Sequence, residues 1–447
     1  MRRIRRRGLT TRSDRRVTVA IVGGGASGTI LAAQLARKDV KSALIDGSGR
    51  MGRGVAYSTT EPAHLLNVRA EGMRAWAGEP DHFVERFEQE GGERRGFAQR
   101  RLFGRYLDEI LDEATACGLT EAVHSNAIAA SRDELGWRVA LDDGTSISAR
   151  ALVLAVGNEE PEGLGAFASI GRRFIRNPWG DDARAAVDEL TATGGDALLI
   201  GTGLTMVDLV LSLDAAGHRG KIVALSRRGL IPRAHADFTP APVEGALPID
   251  LRDLVRWLRR RSAEVGWRAA VDSLRPHSHP IWQSLSLAEQ RRFLRHVRPW
   301  WDVHRHRIAP EVAATVARAI GEGRLEVVAG RIAAVHEDNE GLQVDFNRRG
   351  ASSTQTGTFE YAFNCTGPLH SVARTKDPLL RSLLDSGEVR PDQLGIGLEI
   401  GGTCRAGEHL WAMGPLTKGR YWEIIAVPDI REQAEAVAED IEREIGE

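Results

Sequence analysis

Short apolar runs that stop abruptly at glycine punctuate this chain. Val17-Thr18-Val19-Ala20-Ile21-Val22 runs into Gly23, and Ala197-Leu198-Leu199-Ile200 runs into Gly201. Runs this short and this apolar have the pattern of strands buried on both faces, with glycine making the sharp turn that follows. Ala151 to Val156 ends the same way at Gly157, Tyr361 to Thr366 at Gly367, and His409 to Met413 at Gly414. Behind the first two turns the pattern becomes helical, Ala/Leu-rich over Thr29 to Arg37 and apolar over Met206 to Leu211. Strand, glycine turn and helix, twice in one chain, predict an α/β protein with two Rossmann-like dinucleotide-binding domains.

Between and after these units the pattern divides the chain further. Glu121 to Gly157 reads as a β-meander. Trp137 to Leu141 and Ser146 to Ala149 flank an Asp142-Asp143-Gly144 turn, and the buried strand Ala151 to Gly157 follows. From Pro240 to Gly323 the spacing is helical and rich in arginine and tryptophan, with Leu251, Leu254, Val255 and Leu258 on one face. The expected organisation is a basic leader over 1–16, a first domain over 17–170 completed by 368–447, and a second over 171–240. A helical insertion over 241–323 interrupts the second domain before its return strands over 324–367. A chain of 447 residues accommodates this division.

Composition narrows the function classes. A net charge of -1 gives no general attraction to nucleic acid or membrane, so neither is expected as a partner. Only Met1 to Arg16 is unbalanced, with eight arginines and one aspartate. A disordered leader or a misplaced start is preferred there to a basic binding arm. No apolar run has the length of a membrane span. Cys117, Cys365 and Cys404 are scattered, without CxxC or metal-ligand spacing, so a cytoplasmic location is expected and a dithiol electron relay is not.

The first turn carries the fuller signature. Gly23, Gly25 and Gly28 form GxGxxG, with Ser27 at the helix start. The pattern gives a tight turn, close backbone approach to a pyrophosphate, and close helix–strand packing. Asp46 ends the next apolar stretch, 18 residues after Gly28, near the spacing for a carboxylate that grips ribose hydroxyls. The meander before Gly157 resembles that of FAD-binding domains rather than simple NAD dehydrogenases, so FAD is expected here. In the second turn Gly201 and Gly203 are followed by Met206 where a third glycine would stand. Its next strand, Lys221 to Leu225, ends in Ser226-Arg227-Arg228, and arginine there suits the 2′-phosphate of NADPH. NADH stays open as the alternative, as does a solvated turn for the two arginines.

Several longer motifs carry a family resemblance. They include Arg53-Gly54-Val55-Ala56-Tyr57, His64-Leu65-Leu66-Asn67-Val68, Pro80-Asp81-His82-Phe83 and Phe97 to Leu107. Asn177-Pro178-Trp179, Trp301 to Arg307, and the stretch from Gly414-Pro415 through Trp422-Glu423 to Arg431 complete the set. Together with the glycine turns they resemble the FAD/NAD(P)-binding flavoproteins that include FAD-dependent urate hydroxylase and the nitrosuccinate-forming aspartate N-monooxygenases. The resemblance implies FAD, a reduced nicotinamide and monooxygenation with O2. It adds His64, Asn67, Arg100, Gly157, Gly367 and Gly414 to the cofactor candidates, with Gly414 and the following helix closing over the pyrophosphate and flavin pyrimidine. Asn67 reads equally well as a turn cap.

No nucleophile–base constellation or metal cluster is evident, and the catalytic residues stay unassigned. His304, Arg305, His306 and Arg307 are the pocket candidates besides Asn67. Four consecutive residues cannot share one helix face, so at most two enter a pocket, and a surface ion-pair strip is the competing reading. Such groups suit a small anionic substrate. Urate is the leading named substrate, amino-acid N-hydroxylation the alternative, and a slow-turnover redox-sensing flavoprotein the third reading. The tryptophans of the insertion, Trp257, Trp267, Trp282, Trp300 and Trp301, are expected in its core. Oligomeric state is left open.

Overall fold

A computed structural model describes residues 15–369 and 371–446 of the chain. Residues 1–14 of the arginine leader lie outside the described residues, whereas Arg15 and Arg16 open the first strand. In chain order the strands are β1 (Arg15–Val22), β2 (Ser42–Ile45), β3 (Thr120–Val123), β4 (Ala127–Arg132) and β5 (Trp137–Leu141). Next come β6 (Ser146–Leu154), β7 (Phe174–Ile175), β8 (Ala197–Ile200), β9 (Ile222–Ser226) and β10 (Leu325–Glu337). β11 (Leu342–Arg348), β12 (Thr354–Phe359), β13 (Tyr361–Asn364), β14 (Arg405–Gly407) and β15 (Leu410–Ala412) complete the set.

Two sheets result. The first runs β14-β15-β6-β1-β2-β3, with β5 and β4 added antiparallel beside β6. The second runs β12-β11-β10-β9-β8-β13-β7. Each has a parallel centre, β15-β6-β1-β2-β3 in one and β10-β9-β8-β13-β7 in the other. The all-apolar runs are these central strands, with Val19 to Ile21 and Ala197 to Leu199 fully buried.

The meander differs from expectation in two ways. Thr120–Val123 is a parallel edge strand beside β2, so the antiparallel excursion begins only at Ala127. Ser146 to Leu154 is one continuous strand that changes partners on one side. Its first half pairs with β5 through Trp137↔Ala149, its second with β15 through Leu410↔Leu152, while β1 follows it along the other side. Arg150 marks the changeover as the exposed break in an otherwise buried run.

Helix Ala26–Arg37 starts at the first glycine turn and packs under helices Arg100–Ala116 and Val427–Gly446, sharing one core with Phe83, Phe103, Tyr106 and Val437. Helix Leu204–Ala215 starts at the second turn, and Met206 fills the space between helix and sheet. The insertion is helical through Arg305. Helix Pro310–Gly321 lies within the expected 241–323 span, yet it belongs to the second sheet's layers: Val312, Val316 and Ala319 share a core with Val207 and Leu211.

The insertion docks on the first fold as well as on the segment that leads into it, where Arg268 donates to the Ala234 carbonyl at 3.0 Å. Leu251, Trp282 and Leu285 pack with Leu394, Ile396 and Trp422. Trp282 stacks on Trp422 at 5.2 Å and donates to the Gly419 carbonyl at 2.8 Å. The core expectation therefore holds for Trp282, while Trp300 is 49% exposed.

Candidate functional site

The two glycine turns share one geometry. Gly23 has φ +105°, and a Cβ there would lie 2.3 Å from the Ala155 carbonyl oxygen, so the adjoining strand itself demands glycine. Gly25 has an ordinary φ of -76°. A Cβ on Gly25 would meet only the Gly54 Cα, at 3.6 Å. In the second turn Gly201 has φ +121° and a Cβ would lie 2.2 Å from the Cys365 carbonyl oxygen, whereas Gly203 has nothing within 4 Å. One glycine of each pair is dictated by the neighbouring strand, and the other faces open room. That room, at the N-terminus of a helix, fits the close approach of a pyrophosphate. Gly28 completes the first turn, since a Cβ there would lie 2.0 Å from the Gly23 carbonyl oxygen.

The ends of the second strands differ as their sequences do. Asp46 follows β2 and accepts the Gly24 N–H at 2.7 Å and the Ser48 N–H at 2.7 Å, which sets a carboxylate against the first turn. After β9 the Ser226 hydroxyl lies 2.8 Å from the Thr202 hydroxyl of the second turn and accepts from Gly229 N–H at 3.0 Å. Arg227 beside it is exposed, and Arg228 donates to the Arg295 carbonyl at 3.4 Å.

The C-terminal segment closes against the first turn. A Cβ on Gly414 would lie 3.0 Å from Ser27 Oγ. Gln433, which sequence reasoning missed, accepts the Gly414 N–H at 2.7 Å and donates to Thr417 Oγ1 at 3.0 Å. Gly157 and Lys418 line a small recess beside this segment, where Lys418 Nζ donates to Asn158 Oδ1 at 3.0 Å. Burial pushes the Lys418 ammonium down to about 8. Gly367 follows β13 with φ +89° and no neighbour within 4 Å of a Cβ.

His64 and Arg100 sit where the two folds meet. Arg100 forms a bidentate ion pair with Asp208 of helix Leu204–Ala215, at 2.9 Å for both bonds. His64 Nδ1 lies 2.9 Å from Thr59 Oγ1 and Nε2 lies 3.0 Å from the Asp208 carbonyl. Sequence reasoning left Asp208 unmarked within an apolar helix. A cleft of about 320 Å³ opens beside this junction, lined by Glu61, His64, Trp179, Asp208 and Ser212 among others.

Asn67 is held through its backbone, its carbonyl accepting from His235 Nε2 at 3.0 Å. Burial pushes His235 down to about 4, against the Asn67 bond, with Arg307 and Arg69 lowering it further and Asp272 raising it. The unfolded chain therefore binds more protons at this position between about pH 6.5 and 4, and stability falls as pH drops through that window. His235→Gln is expected to flatten the dependence of the urea midpoint on pH there. An unchanged slope would mean that His235 titrates normally.

The four pocket candidates diverge. His304 Nδ1 donates to the Trp300 carbonyl at 2.7 Å. Arg305 donates to Glu423 at 3.1 Å, and Glu423 also accepts from Trp301 Nε1 at 2.5 Å and Ser278 Oγ at 3.1 Å. Arg307 is buried, donating to the His304 carbonyl and lying over Phe238 and Trp267. Burial lowers the pKa of His306, with Arg305 adding to the effect. Neither arginine lies in a surface strip. Their guanidinium bonds fasten the insertion internally and to the C-terminal segment.

Residues 20–159 match the model of a family described as FAD-NAD(P)-binding. With two glycine turns on two parallel-centred sheets, the chain has a two-domain Rossmann-like α/β architecture. A comparison with curated proteins finds no match. Among solved structures the chain is similar to L-lysine 6-monooxygenase from Pseudomonas syringae, with 18% identity and a TM-score of 0.69. It is similar to an ornithine N-hydroxylase from Kutzneria sp. 744, described with FADred, NADP+ and L-orn, with 14% identity and a TM-score of 0.68. A bacillithiol disulfide reductase from Bacillus cereus follows with 14% identity and a TM-score of 0.58. Each likeness covers 96% of this chain and 99% of the other. Among the described residues no helix is long and apolar enough to cross a membrane.

Proposed function

We propose that this protein is an FAD-dependent monooxygenase that uses NADPH and O2 to N-hydroxylate a small amine of amino-acid type. The observation that carries the reading is the pair of open glycines, Gly25 and Gly203, one at each helix N-terminus. The whole-chain likeness to lysine and ornithine hydroxylases favours an amine over urate. Bound at the first turn, FAD supplies the oxygen chemistry. Gly25, Ser27, Asp46, Gly157 and Gly414 would hold it, and Gly201, Gly203, Arg227 and Arg228 would hold the nicotinamide. The insertion is fastened to the C-terminal segment by Trp282 and by the Arg305–Glu423 pair. A dithiol route has no basis here. All three cysteines are free, and Cys365 and Cys404 are buried in the cores of different folds with their thiols pushed up by burial.

The balance to test is R–NH2 + O2 + NADPH + H+ giving R–NHOH + H2O + NADP+. Purified holoprotein is supplied with NADPH and labelled O2, with lysine, ornithine, aspartate or urate in separate arms. One labelled oxygen atom in a hydroxylamine product is expected. Label in a urate product instead would reassign the substrate, and unlabelled product with peroxide matching the NADPH consumed would make the protein an oxidase.

A further inference from the structure

Arg100 and Asp208 lie on different folds, yet their side chains are only 14% and 7% exposed. The bidentate fork is held at its base by Arg100 Nε, which donates to the Leu65 carbonyl at 3.1 Å. Beside it the Asp208 carbonyl can only accept, so His64 Nε2 donates to it, while Nδ1 lies against the Thr59 hydroxyl. His64 Nε2 also lies 3.1 Å from Ser212 Oγ, one helical turn beyond Asp208. Both carboxylate oxygens and His64 Nε2 are thus committed across the junction, while Thr59 holds the other ring nitrogen from its own side.

The placement of the pair relates it to the two glycine turns. Asp208 lies in the second turn of helix Leu204–Ala215, which begins directly after Gly203. Arg100 is the first residue of helix Arg100–Ala116, which packs along helix Ala26–Arg37, the helix that begins after Gly25. The second glycine turn is therefore joined to the ion pair by one helix, and the first through the packing of one helix on another. Apolar helix faces tolerate sliding, whereas a planar guanidinium fork on a carboxylate admits one relative orientation.

We propose that Arg100, Asp208 and His64 are positioning residues that fix the second glycine turn relative to the first, so that a reduced nicotinamide at one reaches a flavin at the other. The proposal rests on the redox reading above. In that step a hydride, carrying two electrons, leaves the dihydronicotinamide, which is oxidised, and is taken up by the flavin, which is reduced. Such transfers tolerate little misplacement, about 1 Å costing on the order of a hundredfold in rate.

Two measurements on Arg100→Gln, Arg100→Lys and Asp208→Asn test this, one of which needs no cofactor. Exposed Cys117 on the first fold and Ser353→Cys in the turn between β11 and β12 accept spin labels, while Cys365 and Cys404 are buried. In the apoprotein the parent should give one narrow inter-label distance, and the variants a shifted or broadened one. In the holoprotein, anaerobic flavin reduction at saturating NADPH should slow about 10- to 100-fold per bound flavin, with FAD content unchanged. Arg100→Lys, which keeps the charge and loses the fork, should fall between parent and Arg100→Gln, and it decides the matter if the other two variants do not fold. An unchanged distance overturns the proposal. So does a changed distance with the parent's reduction rate, which would leave the pair a purely structural role. A parent whose flavin neither NADPH nor NADH reduces overturns the redox reading itself, and this proposal with it.

Discussion

Replacing Gly25 by valine is expected to leave a folded protein without FAD. The substitution is permitted by the backbone, whose φ is -76°. It is permitted by the surroundings too, since a Cβ would meet only the Gly54 Cα at 3.6 Å. Loss of a favourable N-cap glycine costs at most about 1 kcal/mol, well within the stability of an ordinary domain. The added side chain instead occupies the room proposed for the pyrophosphate. Gly23→Val serves as the contrast, because its Cβ would lie 2.3 Å from a backbone carbonyl oxygen and the strand must move. Circular dichroism should then separate a folded Gly25→Val from a damaged Gly23→Val, and denaturing release followed by chromatography should find FAD in the parent only. Gly203→Val should do the converse, retaining FAD and losing nicotinamide binding. A Gly25→Val protein with full FAD would remove the cofactor from the first turn.

What the chain shows locally and what it does not follow from the range of the interactions. The central strands were legible because burial on both faces leaves no polar positions, and the glycines because the adjoining strand allows no Cβ. The continuity of β6 was not, because Arg150 breaks the apolar run where the strand exchanges β5 for β15. Helix Pro310–Gly321 was placed in the insertion for a similar reason, since helical periodicity does not say which core a helix joins. Pairing across the chain left the weakest trace. Arg305 and Arg307 read as anion-binding groups from their charge, yet their guanidinium groups contact Glu423 and Asp272, and nothing near them in sequence signals those partners. Asp208 went unmarked within an apolar helix, and Arg100, its partner, lies 108 residues away.

Alanine at both Arg227 and Arg228 is expected to raise the KM for NADPH about ten- to a hundredfold and to leave that for NADH nearly unchanged. The argument compares corresponding places in the two folds. At the end of β2, Asp46 stands against the first turn through the Gly24 N–H. At the end of β9 the corresponding position is Ser226, whose hydroxyl contacts Thr202 of the second turn and Gly229, which leaves Arg227 and Arg228 as the charged groups there. A serine and two arginines in place of an acid suit a 2′-phosphate and remove the ribose-gripping carboxylate. Loss of a charge-assisted phosphate contact is worth roughly 1.5–3 kcal/mol, which gives the stated range. The fold should tolerate the change, because Arg227 is exposed and Arg228 makes a long bond at 3.4 Å to the Arg295 carbonyl. Steady-state oxidation of each nicotinamide by parent and double variant gives the comparison directly. Equal effects on NADPH and NADH would assign the arginines to the architecture of the turn rather than to the phosphate.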